Sequence, residues 1–195
     1  MRIFLALDID EAIRHRIAHF MDGVRGFAPD ARWVHPGSLH ITLKFIGETA
    51  PENVDQIKEA LKAVEANAIE MHILGSGFFP GAKSPRVFWV GIEAGPSLAA
   101  LASTVDDRVA ALGIAKEDHP FSPHLTLARG GGGSGSPRSK IDGFKRSFQR
   151  LQEKLAALPV PQFGTMTARE FFLYQSHLSR RSGSRYEKLA GFTLR

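Results

Sequence analysis

The sequence predicts an α+β protein in which each half carries a similar strand motif. Strand-like and helix-like segments alternate along the chain, paired strand-like segments lie between helices, and each half contains a histidine and a threonine two residues apart. The repeated motif indicates an internal duplication, although the halves share little identity beyond it. We expect residues 1–195 to form a single domain, because a chain of this length buries one core or two lobes that share one.

The first half of the chain predicts two strands and two helices. Residues 2–9 are mostly apolar and indicate the first strand, and Asp10 is suited to cap the helix that follows. Apolar residues then recur at helical spacing over residues 13–24. Residues 33–47 contain the first motif strand, and Pro51 is placed to open a second helix, since proline is favoured at the first helical position.

The second half continues the alternation of strands and helices. A Gly- and Pro-rich stretch, residues 75–85, separates the first two strands of this half. The predicted elements are, in chain order, strands over 69–74 and 86–92, a helix over 98–112, the second motif strand over 124–129, a helix over 144–155, and strands over 170–176 and 185–194.

The repeated motif consists of His40-Ile41-Thr42-Leu43 and His124-Leu125-Thr126-Leu127. Successive side chains of a strand point to opposite faces, so each histidine shares a face with its threonine, roughly 6.6 Å away along the strand. The intervening apolar residues then point into a core. Two such segments predict a pair of imidazoles and a pair of hydroxyls that face a common cleft. Two core strands that each carry a buried, hydrogen-bonded histidine are the alternative.

These residue types suit acid–base chemistry on a phosphate ester without a metal. Histidine exchanges protons near neutral pH because its ordinary pKa is about 6.5. A threonine hydroxyl can donate a hydrogen bond to a non-bridging phosphate oxygen, and such charge-assisted bonds are the stronger kind. The near-symmetry of the two segments leaves open which histidine is the acid and which is the base.

Composition and charge narrow the class of protein further. The formal net charge is +5 and the pI is about 9.7, a balance that favours a polyanionic partner such as RNA. The absence of cysteine excludes disulfides and a cysteine nucleophile, and it fits a cytoplasmic protein. No apolar run approaches the length of a membrane span, and the N-terminus lacks a signal-peptide layout.

Two further features are expected to be structural. His15 and His19 have a spacing on the first helix that could bind a metal, but no third ligand completes the motif. We therefore predict an exposed polar face there and no metal site. The Gly/Ser-rich segment 130–137 predicts a flexible surface loop, with a flap over the cleft as the alternative.

Longer stretches around both motifs resemble a known family. WVHPGSLHITLKFIG, residues 33–47, and FSPHLTLAR, residues 121–129, resemble the two signatures of the 2H phosphoesterase superfamily. Within it the chain is most similar to the RNA 2′,3′-cyclic phosphodiesterases, historically called 2′-5′ RNA ligases, and residues 2–8 and 172–178 add to the likeness. This resemblance implies a bilobal fold with two pseudo-symmetric, mostly antiparallel sheets that are flanked by helices around a central groove.

The resemblance also implies an activity. It is metal-independent hydrolysis of RNA 2′,3′-cyclic phosphate ends to 2′-phosphomonoesters, without a cofactor. His40 would be the general acid that protonates the 3′ leaving oxygen, and His124 would be the general base that activates water. Thr42 and Thr126 would bind the substrate. The alternatives are a 2′-5′ RNA ligase or 2′-5′ phosphodiesterase, and a non-catalytic module that binds RNA or nucleotides. The protein is expected to act as a cytoplasmic monomer on RNA ends.

Arg129 matches an arginine of the family that lies near the substrate. Its position along the strand is opposite in parity to His124, so it reaches the cleft only if the strand ends or twists there. Lys44 has the parity of His40, and we expect it on the solvated rim. Three aromatic residues are candidate platforms for base stacking, although aromatic residues in strands usually lie in the core: Phe4, Trp33 and Phe45.

Overall fold

The computed structural model describes residues 1–130, 137–179 and 183–195. Strands and α-helices follow each other in an order that agrees with most of the sequence prediction. The strands are β1 Arg2–Leu7, β2 Arg32–Trp33, β3 Ile41–Glu48, β4 Ile69–Phe79, β5 Val87–Ala94, β6 His124–Arg129, β7 Gln162–Ala168, β8 Glu170–Ser179 and β9 Gly183–Thr193. The helices are α1 Glu11–Val24, α2 Pro51–Lys62, α3 Pro96–Ala110 and α4 Pro137–Ala156.

The strands form two antiparallel sheets, which confirms the predicted α+β class with two such sheets. One sheet has four strands in the order β3-β1-β8-β9, and the other has five in the order β2-β6-β5-β4-β7. The two strands that carry the motifs, β3 and β6, belong to different sheets and approach each other. This approach brings the histidine–threonine segments of the two halves to one groove.

A single buried cluster of hydrophobic side chains joins the two sheets. It includes Ile3 and Leu7 of β1 in the four-stranded sheet, and Phe88 and Leu125 of the five-stranded sheet. The helices contribute their apolar faces to the same cluster, which explains the helical spacing of apolar residues in the sequence. For α1 these residues are Ile13, Ile17, Met21 and Val24.

Helix starts follow the local sequence closely. The helix α1 begins directly after Asp10, as predicted, although the Asp10 side chain makes no capping hydrogen bond. Helices α2 and α3 begin with Pro51 and Pro96. Proline is tolerated there because the first amide of a helix has no intrahelical partner.

In the second half, one predicted strand has the wrong end, and another strand is missing from the prediction. The strand β4 does not end at Leu74 but continues to Phe79, because the ladder resumes after an irregularity at Gly75, where φ is +74°. The strand β7 was not predicted at all. Its alternation is interrupted at Gly164, where φ is +116° and the register against β4 shifts, so its apolar residues do not keep a period of two.

Two other expectations concern the Gly/Ser-rich segment and membrane-spanning helices. The predicted Gly/Ser loop over 130–137 falls mainly on residues 131–136, which lie outside the described residues. In the part of the chain that the structure describes, no helix has the length and apolar character needed to cross a membrane.

Candidate active site

Both motifs line one groove between the sheets. A cavity of about 580 Å³ is bordered by His40 and Thr42 from one half and by His124 and Thr126 from the other. Ile41, Leu43, Leu125 and Leu127 are buried in the core instead. The two-residue spacing therefore has the predicted effect, with polar side chains on the groove face and apolar ones on the core face. His40 immediately precedes β3, whereas His124 is the first residue of β6.

The two imidazoles are held in the same way. His40 Nδ1 lies 2.7 Å from the carbonyl oxygen of Ser38, and His124 Nδ1 lies 2.7 Å from that of Ser122. A carbonyl oxygen only accepts, so each Nδ1 must carry the proton and donate it. In the neutral form Nε2 of each ring therefore has a free lone pair. Either ring can take up a proton at Nε2 or release one from it.

Aromatic rings fix the orientation of both histidines. The His40 ring packs against Phe4, with ring centroids 4.8 Å apart, and edge-on against Tyr186 at 5.0 Å. The His124 ring packs edge-on against Phe79 at 4.8 Å. These contacts limit rotation of the rings, and they remove part of their surface from water.

Burial lowers the pKa of His40 below the ordinary value for histidine, and the charges of Arg129 and His124 act in the same direction. The carboxylate of Asp8 and a backbone carbonyl oppose this without outweighing it. Burial and the charge of Arg129 also lower the pKa of His124. These effects favour neutral imidazoles, whereas a phosphate anion in the groove would favour their protonated forms.

Among the described residues, the threonine hydroxyls have no competing partners. Neither Thr42 nor Thr126 makes a side-chain hydrogen bond to another described residue. Both side chains are half-buried at the groove. Each hydroxyl is therefore free to donate to an oxygen atom of a ligand.

A β-bulge follows each threonine, and sequence periodicity could not reveal it. In the pairing of β3 with β1, Thr42 is opposite Ala6 and Lys44 is opposite Leu5, so Leu43 has no partner of its own. In the pairing of β6 with β5, the same irregularity falls at Leu127. One extra residue in a strand reverses the facing of every residue beyond it.

The bulges decide where Arg129, Lys44 and Phe45 lie. Beyond the second bulge, Ala128 is buried and Arg129 is exposed along the groove, close enough for its charge to act on both histidines. Beyond the first bulge, Lys44 is buried and Phe45 takes the groove position, with 56 % of its surface exposed. Simple alternation would have given the opposite arrangement at both sites.

Comparison with known proteins agrees with this geometry. The model of the family described as LigT like Phosphoesterase matches twice, over residues 7–89 and over residues 90–183. Each match contains one of the two histidine–threonine segments.

The chain belongs to the LigT-like phosphoesterase family.

Curated relatives from archaea cover nearly the whole chain. The RNA 2′,3′-cyclic phosphodiesterase of Archaeoglobus fulgidus is 32% identical over 192 residues, which is 98% of this chain and 99% of the relative. The protein of the same name from Methanothermobacter thermautotrophicus is 30% identical over 185 residues, 92% of this chain and 91% of the relative.

Solved LigT-like structures share the fold. The crystal structure of E. coli LigT complexed with 3′-AMP superposes with a TM-score of 0.77 at 26% identity, and covers 99% of this chain and 97% of that one. A Thermus thermophilus crystal structure gives a TM-score of 0.76 at 28% identity, and covers 100% of this chain and 98% of that one. Two sheets around a central groove are therefore the architecture of the LigT-like family and of this chain.

The expectation for Lys44 is wrong. Its side chain is 3 % exposed, and its ammonium group donates to the carbonyl of Ala115 at 2.7 Å. It lies 2.8 Å from Asp106 Oδ1, an ion pair without good hydrogen-bond geometry, and 3.3 Å from Glu117 Oε1. Lys44 thus connects β3 to α3 and to the segment that follows it, and it does not border the groove.

Arg14 is one residue near the site that the sequence analysis did not single out. The helical pattern placed it on a polar face with its neighbours, but it is buried, while His15 and His19 are exposed as predicted. Its guanidinium pairs with Asp8 Oδ1 at 2.6 Å and with Glu11 at 2.9 Å.

The same guanidinium holds the segment that leads into the first motif. It donates to the carbonyl oxygens of Pro36 at 2.8 Å and Leu39 at 3.3 Å, on either side of the residue whose carbonyl orients His40. An arginine that directly follows an apolar residue of the helix, six residues after an aspartate, was the available signal in the sequence. That signal is weak by itself, and only the packing of α1 against residues 36–38 shows that Arg14 holds this segment.

The Asp8 carboxylate links this arginine to the last strand. Burial acts to raise the pKa of Asp8, but hydrogen bonds from Lys188 and from the Ile9 amide, together with the charges of Lys188 and Arg14, hold it below its ordinary value. Asp8 therefore stays ionised near His40. Nearby, burial and the Asp8 charge raise the pKa of Tyr174 far above its usual range, so its phenol keeps its proton at physiological pH.

The aromatic candidates separate into three environments. Phe4 is buried, stacks on Tyr174, and packs against the rings of His40 and Phe45 at the site. Trp33 packs against Phe88 in the core, and its indole nitrogen donates to the Ala28 carbonyl. Phe45 alone of these three presents a large exposed surface to the groove. Within the described ranges, no group of three or more His, Cys, Asp or Glu side chains is arranged to hold a metal ion.

Proposed function

We propose that this protein hydrolyses RNA 2′,3′-cyclic phosphate ends to 2′-phosphomonoesters by a two-histidine, metal-independent mechanism. The observation that carries the proposal is the convergence of both histidine–threonine pairs on one groove, with both Nε2 atoms and both hydroxyls available to a ligand. The curated relatives named RNA 2′,3′-cyclic phosphodiesterase support the choice of substrate.

The reaction needs one proton acceptor and one proton donor. His124 Nε2 takes a proton from water as the water oxygen bonds to phosphorus. The bond from phosphorus to the 3′ oxygen breaks, and that oxygen receives the proton carried by His40 Nε2. The products are a 2′-phosphomonoester and a free 3′ hydroxyl, and one further proton exchange with solvent restores both histidines. The equivalent tautomers of the two rings support either direction of this exchange.

The remaining groups stabilise charge on the phosphate. Thr42 and Thr126 donate to the non-bridging oxygens, which gain negative charge as the attacking oxygen approaches. Arg129, which lines the same groove, adds a fixed positive charge. Its charge also favours neutral histidines, so a bound anion and Arg129 act on the imidazoles in opposite directions.

The proposal includes a single domain over residues 1–195 that acts as a cytoplasmic monomer. One chain supplies both motifs to one groove and joins both sheets by one core, so no second copy is needed to complete the site. Light scattering after gel filtration would test the monomer, and a stable dimer that loses activity on dilution would contradict it.

A single assay tests the chemistry. The protein is incubated with an oligonucleotide that ends in a 2′,3′-cyclic phosphate, in the presence of excess EDTA, and the products are followed by phosphorus NMR. We expect turnover with the chelator and a phosphate that remains on the 2′ oxygen. Loss of activity that a divalent ion restores would refute metal independence. A mainly 3′-phosphate product would refute the assigned orientation, and accumulation of 2′-5′ joined products would favour the ligase alternative.

A further inference from the structure

The groove carries more positive charge than one cyclic phosphate requires. Arg2, Arg32 and Arg129 line it together with the two histidines, and among the described residues no carboxylate side chain borders it. The three guanidinium groups are exposed, and none makes an ion pair or side-chain hydrogen bond to another described residue. A 2′,3′-cyclic phosphate carries a single negative charge, and the motif threonines and Arg129 already face it.

Two of these arginines are direct neighbours across strands. In the pairing of β2 with β6, Arg32 is opposite Arg129, and Trp33 is opposite Ala128. Like charges that lie directly opposite each other in a sheet repel and destabilise the pairing. An anion bound between the two guanidinium groups would remove this repulsion.

The structure holds Arg32 at this position. Its neighbour Trp33 faces the core, where its ring packs edge-on against Phe88 and its indole nitrogen donates to the Ala28 carbonyl at 3.0 Å. Because successive residues of a strand face opposite sides, this anchor directs Arg32 to the groove. The five-stranded sheet has β2 on the outer side of β6, whereas β3 is the edge strand of its own sheet.

Arg2 reaches the same groove from the other sheet. It begins β1, and its cross-strand partner is Glu48 of β3. The Glu48 carboxylate pairs with the amino group of Met1 at 3.6 Å rather than with Arg2, and it does not border the groove. The guanidinium of Arg2 is therefore available to a ligand, on the opposite sheet from Arg32.

We propose that Arg2 and Arg32 bind a second phosphate of the substrate, and that Arg129 contacts this phosphate as well as the reacting one. The proposal rests on the proposed function and extends it. A 2′,3′-cyclic phosphate is by its chemistry at the 3′ end of a strand, so the next phosphate is the one on the 5′ side of the terminal nucleotide. The preferred substrate is then an oligonucleotide or a 5′-phosphorylated nucleotide, and not a cyclic mononucleotide without a 5′ phosphate.

The test compares substrates that differ only in this phosphate. Adenosine 2′,3′-cyclic phosphate, the same compound with a 5′ phosphate, and a dinucleotide with a cyclic end are assayed with the wild type and with Arg2→Gln and Arg32→Gln. A hydrogen bond to a charged group contributes about 1.5–3 kcal/mol, so each variant should lower kcat/KM for the two 5′-phosphate substrates at least about tenfold. The loss for the compound without a 5′ phosphate should be clearly smaller.

Matched variants separate charge from folding. Arg150→Gln removes the same charge from an exposed position of α4 that does not border the groove, and it should leave the substrate preference unchanged. Arg32→Lys keeps the charge and should restore part of the preference. For single-stranded ligands each lost phosphate contact should also reduce the slope of log affinity against log salt by about 0.7.

Binding measurements keep this test independent of turnover. The dissociation constants of adenosine 2′-phosphate and of a dinucleotide that ends in a 2′-phosphate are measured by calorimetry with each variant. Arg2→Gln and Arg32→Gln should weaken the dinucleotide selectively. Equal losses for both ligands, or no loss for either, would overturn the second phosphate site. If the variants weaken the dinucleotide selectively but the wild type hydrolyses none of the three substrates, the proposed function is overturned and the second phosphate site stands.

Discussion

Residues 40–45 and residues 124–129 occupy equivalent places in the two halves. Their first four positions are alike, and their last two positions differ. Each begins with a histidine whose Nδ1 donates to a carbonyl two residues earlier, continues with a free threonine hydroxyl, and contains a bulge at the following leucine. The two residues after each bulge differ completely. Lys44 and Phe45 stand in the first half where Ala128 and Arg129 stand in the second.

This difference separates the chemistry of the groove from its recognition of a ligand. The parts proposed to move protons and to bind the reacting phosphate are duplicated. The parts that meet the rest of a substrate are not, because one strand offers the groove an aromatic ring and the other offers a guanidinium group. The halves also differ at their edges, since only β6 is covered by an additional strand, β2.

Removing either histidine should have the largest effect. His40→Ala and His124→Ala should each lower kcat by about 10²–10⁴-fold with little change in Tm, because each removes a proton-transfer group. The double variant should lose much less than the product of the two, since the groups act as a unit. His15→Ala, on the exposed face of α1, serves as the control. A lowered Tm with near-normal kcat would instead identify a histidine with a purely structural role.

Removal of either threonine hydroxyl should have the next largest effect on kcat. Thr42→Val and Thr126→Val keep a β-branched side chain and remove only the hydroxyl, and each should lower kcat by about 10²–10³-fold, as expected for one donor to a developing oxyanion. Nearly equal losses would support the equivalence of the two halves. If one variant loses activity and the other does not, only one hydroxyl contacts the phosphate, and the site is less symmetric than the backbone.

Lys44 should matter for stability and not directly for chemistry. Lys44→Met leaves the largely buried Asp106 without its cation, and the cost should be about 3 kcal/mol in the free energy of unfolding. Adding Asp106→Leu should recover most of the loss, because an apolar pair can replace a buried ion pair. Lys116→Met, at an exposed pair with Asp107, is the control and should change little. Urea unfolding measures all three, and an unchanged stability of the single variant would contradict this role.

Phe45→Ala and Arg129→Gln should both raise KM, but with a different dependence on salt concentration. Phe45→Ala should raise KM about tenfold with any base, because stacking on an exposed ring tolerates all bases. That loss should be similar at low and high salt. Arg129→Gln should weaken binding more at low salt than at high salt, because its contribution is a charge contact with phosphate. Titration of KM against salt concentration distinguishes them, and the same salt dependence for both variants would refute the division between ring and charge.

The pH dependence should show the smallest effect. Because burial and Arg129 lower the pKa of both histidines, kcat/KM, which reports the free enzyme, should be highest below pH 6.5 and fall as pH rises through neutrality. Arg129→Gln should move this profile to higher pH by raising both values, while Arg150→Gln should not. Imidazole proton shifts followed by NMR would check the direction. The apparent values belong to the pair and not to either residue.

The sequence by itself determined the elements that depend on local periodicity. Helical spacing gave α1 to α3, and the prolines at residues 51 and 96 opened two of them. The period of two in each motif was enough to place His40 with Thr42, and His124 with Thr126, on a polar face. The recurrence of the motif was enough to predict a shared groove between two similar halves.

Only the tertiary structure decided what lies beyond each threonine and around each histidine. The bulges at Leu43 and Leu127 come from the register between strands that are distant in sequence, and they turned Lys44 inward and brought Phe45 and Arg129 to the groove. The role of Arg14 could likewise not be predicted from the sequence, because its partners on residues 36–39 lie more than 20 positions away. Local periodicity records which face a residue prefers, whereas register and long-range pairing depend on the packing of the whole chain.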